Sequence, residues 1–156
     1  MMVLLDTTAI IHGLAGRLPV GAAAMVRGAR QFHCSVCFGE VAVGLGHYSP
    51  AAADAASVKA GYIRAFAAIS RHRVLTPNPE VWIGAGLVAG TLARTQHFGR
   101  DQRKELMNDA LIYLTAAKFG LPVLTENRRE FDLIQQVAGH GRFIFYKAVG
   151  SEVETG

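Results

Sequence analysis

Cysteine is nearly absent, with two residues in a chain of 156. Cys34 and Cys37 form a Cys-x-x-Cys at a strand-to-helix junction, where a thioredoxin-like pair would lie, but nothing around them supports redox chemistry. A tetrahedral zinc centre would need a fourth ligand beyond these two and the adjacent His33, and the other histidines are scattered singly. The pair reads as small core residues. Also missing is a long hydrophobic run: the longest apolar stretch, 81–93, is too short for a membrane span and rich in glycine. The start Met1-Met2-Val3-Leu4-Leu5 has no basic leader, and Asp6 interrupts its apolar run, so it does not read as a signal peptide. There is no internal repeat and no low-complexity tract. A soluble, cytoplasmic protein is expected.

What is present suffices for one ordinary domain, because 51% apolar and 18% charged residues leave material for a core. That domain is expected over 1–149, with 150–156 a disordered tail. Apolar runs of strand length alternate with longer helical patterns, the signature of an α/β fold with a parallel sheet covered by helices. Strands are expected near 2–6, 32–35, 73–75, 122–124 and 143–146. Ser49-Pro50 precedes an alanine-rich helical run to Ser70, and Asn78-Pro79-Glu80 offers an N-cap, a first-turn proline and a first-turn acid. Gly84, Gly86 and Gly90 weaken the helix that follows and suggest close packing, in the core or across a dimer contact. Gly120 should stop a helix that begins near Glu105.

Acids are the scarcer charge, 12 against 16 Lys and Arg, yet four of them occupy related places. Asp6 ends Val3-Leu4-Leu5-Asp6, Glu40 follows a strand-like run from Phe32, Asp109 opens Asp109-Ala110-Leu111-Ile112, and Glu130 follows Leu121-Pro122-Val123-Leu124-Thr125. Each stands where an apolar run gives way to a helix. Carboxylates gathered at strand ends repel one another unless a cation lies between them, which points to a divalent ion and metal-assisted phosphoryl chemistry. With acids committed to one site, the remaining surface is more basic than the total suggests and suits a polyanion such as RNA or DNA. Arg71-His72-Arg73, the 100–104 segment with Arg100, Arg103 and Lys104, and Arg128-Arg129 are the candidate contacts, although each cluster alone would pass for a solvated helix end.

The acids differ in how strongly they point to a site. On a helix Asp109 shares its face with Leu106, Ile112 and Tyr113, an apolar side where a carboxylate is costly unless paired or metal-bound. Glu40 repeats the pattern beside Val36, Cys37, Val43 and Gly44. Asp6 and Thr7-Thr8 reach the carboxyl edge of the sheet, where ligand sites of open α/β folds lie, but residues of these types also cap helices. Asn127-Arg128-Arg129-Glu130 has capping-box spacing, so Glu130 is either a ligand or a structural residue, with Asp132 in reserve.

Taken in order, Leu5-Asp6-Thr7-Thr8-Ala9-Ile10-Ile11, Ser35-Val36-Cys37-Phe38-Gly39-Glu40-Val41, Asn108-Asp109-Ala110-Leu111-Ile112 and Leu124-Thr125-Glu126-Asn127-Arg128-Arg129-Glu130-Phe131 resemble the successive motifs of PIN-domain nucleases, and most closely the VapC-type toxins of toxin–antitoxin pairs. The resemblance implies a three-layer fold, a Mg²⁺ or Mn²⁺ site and cleavage of RNA by a metal-activated water. It matches Asp6, Glu40 and Asp109 to the family's metal-binding acids, Glu130 to its more variable fourth acid, and Thr8, Thr125 and Asn127 to supporting polar positions. Glu40 is then a ligand or orients a bound water, and one ion or two remain open. The resemblance also implies a homodimer and a VapB-like antitoxin whose tail covers the site. A free-standing PIN nuclease and a non-catalytic RNA-binding module of the same fold are the alternatives. A haloacid-dehalogenase-like phosphatase would need an acid where Thr8 stands.

Overall fold

A computed structural model describes residues 1–149; the segment expected to be a disordered tail lies outside them. Five strands, β1 (Met2–Leu5), β2 (Arg30–Cys34), β3 (Val74–Leu75), β4 (Pro122–Thr125) and β5 (Arg142–Phe145), form one sheet in the order β3-β2-β1-β4-β5. Every pairing is parallel, with Leu4 opposite Phe32 on one side and Val123 on the other. Successive side chains of a strand point to opposite faces, yet Val3, Leu4 and Leu5 are all buried, so the sheet is covered on both faces. That is why β1 reads as an unbroken apolar run.

Seven helices supply the cover: α1 (Thr7–Leu14), α2 (Val20–Gly28), α3 (Ser35–His47), α4 (Ala55–Ala67), α5 (Pro79–Thr95), α6 (Arg100–Lys118) and α7 (Arg128–Ala138). Helices α5, α6 and α7 pack on one another, and α6 also lies against β2, β4 and β5, while α1 contacts β1, β4 and α3. The chain builds outward from β1 to β3 and then returns to place β4 on the other side of β1. The strand order therefore reverses between β1 and β4. In open α/β sheets the crevice at the carboxyl ends of such strands is where ligands bind.

Local signals account for several boundaries. Asn78 Oδ1 accepts from the Val81 N–H at 3.1 Å and caps α5. Gly120 follows α6 at φ +67°, a left-handed conformation that costs a glycine little and ends the helix. The close packing expected of the α5 glycines holds at Gly84, where a Cβ would stand 3.3 Å from Leu114 Cδ1 of α6; Gly86 and Gly90 face open space. Two helices differ from expectation. The alanine-rich segment is helical only over Ala55–Ala67, and none of its residues is fully buried, so core packing does not extend it. Helix α6 begins at Arg100 rather than near Glu105, with the Gly99 N–H donating to Gln102 Oε1 at 3.0 Å. Asp101, Gln102 and Arg103 in its first turn are exposed, and the turn's sequence carries no apolar period to betray it. Asp109 accordingly lies in the middle of α6 instead of opening a helix. No helix among the described residues is long and apolar enough to cross a membrane.

Candidate active site

The reversal point gathers the acids from four directions. Asp6 follows β1 as the N-cap of α1, with Oδ1 accepting from the Ala9 N–H at 2.6 Å, and it is only 4% exposed. Capping and site membership, alternatives in the sequence, thus coexist in one carboxylate. Beside it at the end of β4 is Thr125, which opposes the rise in Asp6's proton affinity and whose hydroxyl oxygen accepts from the Asn127 N–H at 2.9 Å; the Asp6 N–H itself donates to the Leu124 carbonyl of β4 at 3.2 Å. Asn127 Nδ2 then donates to Asp109 Oδ2 at 2.9 Å. A continuous line of bonds joins β1, β4 and α6.

Glu40, in the second turn of α3, is held from two sides. The Thr7 hydroxyl donates to its Oε2, and Asn108 Nδ2 donates to its Oε1 at 2.9 Å. Neighbouring residues of α6 therefore divide the work: Asn108 reaches Glu40, and Asp109 reaches the β4–α7 loop. Glu130, third in α7 and half-buried, borders a cleft of about 130 Å³ with Asp109, Asn127 and Glu105. The capping-box alternative for Glu130 does not form, since the Asn127 side chain makes no cap bond to α7 and turns to Asp109 instead. Asp132 pairs with Arg128 at 3.5 Å, away from this group.

Two of these carboxyls, Asp6 and Asp109, bind their protons more tightly than usual. Burial pushes Asp6 from its ordinary 3.8 up to about 6, with Glu40 and Glu126 adding to the rise and the Thr125 and Ala9 bonds opposing it. Burial also pushes Asp109 well up, reinforced by Asp6, Glu40, Glu130 and Glu105. Among the described residues no lysine or arginine pairs with Asp6, Glu40, Asp109 or Glu130. A set of crowded, partly desolvated carboxylate oxygens without a cation fits a hard divalent ion such as Mg²⁺ or Mn²⁺ and not zinc. As the side chains stand, no three acidic, histidine or cysteine side chains among the described residues converge on one ion position. Glu40 and Asp109 are instead turned to their hydroxyl and amide donors.

Two members of this network, Asn108 and Glu126, escape the sequence reading, and the choice between Thr7 and Thr8 is settled only in the fold. Thr7, not Thr8, reaches Glu40; Thr8 is half-buried in the first turn of α1. Asn108 stands next to a recognised acid, but nothing in its own context marks it. Glu126 accepts from the Ala148 N–H at 2.9 Å, lies 3.6 Å from His12 Nδ1 and acts electrostatically on Asp6. Its adjacency to Thr125 was the only available signal.

The basic candidates occupy separate exposed surfaces. Arg103 and Lys104 are exposed on α6 and line a groove with Met107 and Asn108. Arg128 and Arg129 are exposed at the start of α7, with the Arg128 guanidinium 5.7 Å from the Phe145 ring centre. The side chain of Arg100 lies outside the described part, and Arg71-His72-Arg73 form an exposed 3₁₀ turn ahead of β3. Cys34 and Cys37 are free and fully buried, and burial pushes both thiols up, as suits core residues and not a reactive pair.

No family model and no curated protein matches the chain. Solved structures do. Similar chains occur in DNA-bound VapBC from Salmonella typhimurium (25% identity, 93% of this chain and 98% of that one, TM-score 0.60) and in FitAcB from Neisseria gonorrhoeae (16%, 93% and 97%, TM-score 0.66). VapBC2 from Rickettsia felis, bound to a DNA fragment from its promoter, is a third (14%, 94% and 100%, TM-score 0.63). The chain has the PIN-like fold of these toxin–antitoxin proteins. The similarity spans nearly the whole chain.

Asp6 gives the frame a pH signature. Its folded carboxyl binds a proton more tightly than in the unfolded chain, so the stability this contributes is full below about pH 4 and is lost as pH rises through about 6. The loss is about 3 kcal/mol at ~1.4 kcal/mol per pH unit. In urea unfolding without divalent ions, wild type should lose ground to Asp6→Asn between pH 4 and 7. A constant difference between the two proteins would show that Asp6 is not a desolvated carboxyl.

Proposed function

We propose that the chain is a metal-dependent endoribonuclease and the toxin of a toxin–antitoxin pair. The observation that carries this reading is a group of mutually repelling carboxyls, two of them with raised proton affinity, at the reversal point of a PIN-like sheet. Asp6 and Asp109 are the main ion ligands, Glu40 is a ligand or orients a water, and Glu130 reaches in from α7. Asp6 and Asp109 would hold Mg²⁺ or Mn²⁺, which when bound would lower the pKa of a water and offset charge on the phosphodiester.

The chain's own residues do the positioning. Thr125 fixes Asp6, Asn127 fixes Asp109, and Thr7 with Asn108 fixes Glu40. Such outer donors select one carboxylate orientation. Arg103 and Lys104 on α6 and Arg128 and Arg129 on α7 are exposed and suit the phosphates of an RNA strand. A VapB-like antitoxin and a second copy of the chain complete the proposed assembly. An arginine from that antitoxin would match the carboxylates as a planar fork and compete with the ion.

The reading is tested by incubating purified protein with RNA and mapping new transcript ends. Cleavage is expected with Mn²⁺ and not with EDTA, nor with Asp6→Asn in Mn²⁺. Cleavage that persists in excess EDTA and in Asp6→Asn overturns it.

A further inference from the structure

We propose that the cleft beside Glu40 is a base-stacking subsite, in which Trp82 carries an unpaired base of single-stranded RNA next to the phosphate being cleaved. The cleft holds about 640 Å³, with Val36, Val43, Pro77 and Trp82 as apolar walls and Glu40 and Asn108 as polar members. Trp82 is the single tryptophan of the chain and is 50% exposed. Val43 across α3 is 62% exposed. An indole serving only the core would be covered. This one presents an aromatic surface beside the acid that Thr7 and Asn108 hold in place.

The turn that carries the platform is anchored. Trp82 lies in the first turn of α5, its backbone N–H donates to the Asn78 carbonyl at 3.0 Å, and the same Asn78 caps the helix through its side chain. On either side of it in the helix, Val81 and Ala85 are buried. A backbone held in this way leaves only the side chain to be ordered on stacking.

Charge complementarity identifies the occupant. Asn108 borders both the Trp82 cleft and the basic groove of Arg103 and Lys104. A strand crossing Asn108 lays phosphates on the basic side and a base on the apolar side, where Glu40 is the acid that lines the cleft. That alternation of cationic groove and aromatic platform matches single-stranded nucleic acid, whose base faces are free. In a duplex those faces are covered by their neighbours.

The inference rests on the ribonuclease reading, and one experiment separates the two. Trp82 fluorescence reports directly on its own cleft. The wild-type protein in EDTA, where cleavage is not expected, is titrated with a single-stranded hexauridylate and with a hexamer-length duplex. Saturable quenching by the single strand and not by the duplex is expected. Trp82→Ala, at an exposed position that tolerates truncation, should weaken binding of a dye-labelled strand by about tenfold, whereas Trp82→Phe retains most of it. In Mn²⁺, Trp82→Ala should raise KM more than it lowers kcat. Silent fluorescence together with a wild-type KM in Trp82→Ala overturns the subsite. So does emission that depends on protein concentration and not on RNA, which assigns the indole to a contact with a second copy. If the strand quenches Trp82 but no RNA is ever cut in Mn²⁺, the subsite stands and the ribonuclease reading fails.

Discussion

Asp109→Asn is expected to give a protein that melts higher than wild type in EDTA and cleaves no RNA. The Asp109 carboxyl is pushed well up by burial and by Asp6, Glu40, Glu130 and Glu105. At neutral pH its ionised form is therefore a cost to the fold, and an amide of the same shape removes that cost while still accepting from Asn127. A gain of ~1 kcal/mol raises the midpoint of a domain this size by about 2–4 °C. Saturating Mn²⁺ should invert the order, because an ion that binds only the folded state stabilises wild type and finds one fewer carboxylate in the variant.

Activity should be graded along the same network. Removing an outer donor, as in Asn127→Ala, costs roughly 10–100-fold, and loss of Asp109 itself costs more. Melting curves with EDTA and with Mn²⁺, run beside RNA cleavage assays, test both halves. If Asp109→Asn melts below wild type in EDTA, its carboxylate is a structural partner and not a strained ligand. If it cleaves at the wild-type rate, the assignment of Asp109 collapses.

Much of this site can be read in the sequence because its causes are local or periodic. Asp109 is flanked at helical spacing by Leu106, Ile112 and Tyr113, and all three are buried. Asp6 ends a strand whose apolar run marks the centre of a sheet. Asn78 and Pro79 announce the start of α5 in adjacent letters. What the sequence does not show is chiefly which partner each residue finds, because most of those partners are remote in the chain. Asn127 has the spacing of a cap, yet its amide bonds Asp109 eighteen residues earlier. Whether Thr7 or Thr8 faces Glu40 is decided by the rotation of α1 against α3, across a separation of 33 residues. Glu126 joins the acids only because the chain after β5 returns the Ala148 N–H and because α1 brings His12. The start of α6 was hidden for a different reason. An exposed polar turn has no apolar period to display, and its evidence is a single bond from Gly99 to Gln102.

Phe131→Ala should be the most destabilising of the simple truncations near the site, at ~3–5 kcal/mol. The ring is fully buried. It packs edge-on to Tyr113 of α6, with centroids 6.0 Å apart, and against Phe143 of β5 at 5.9 Å. Helix α7 faces the core through Phe131 and Ile134 while Arg128 and Arg129 point to solvent, so loss of the ring removes a main apolar anchor of that helix. The resulting cavity would be walled by α6, α7 and β5, elements that the sheet prevents from collapsing together. A domain with a total stability of about 5–15 kcal/mol would lose a large share of it. Phe131→Leu, which keeps most of the volume, should lose much less. Because Asn127 and Glu130 begin the same helix, the loosening reaches the site by a route distinct from ligand loss: Phe131→Ala should cleave RNA well at low temperature and fail on warming, as Asp109→Asn fails at every temperature. Urea unfolding and cleavage followed over a range of temperatures measure the two effects together. A shift below ~1 kcal/mol would mean that α7 is not anchored through this ring, and Glu130 would lose the rigid support assigned to it.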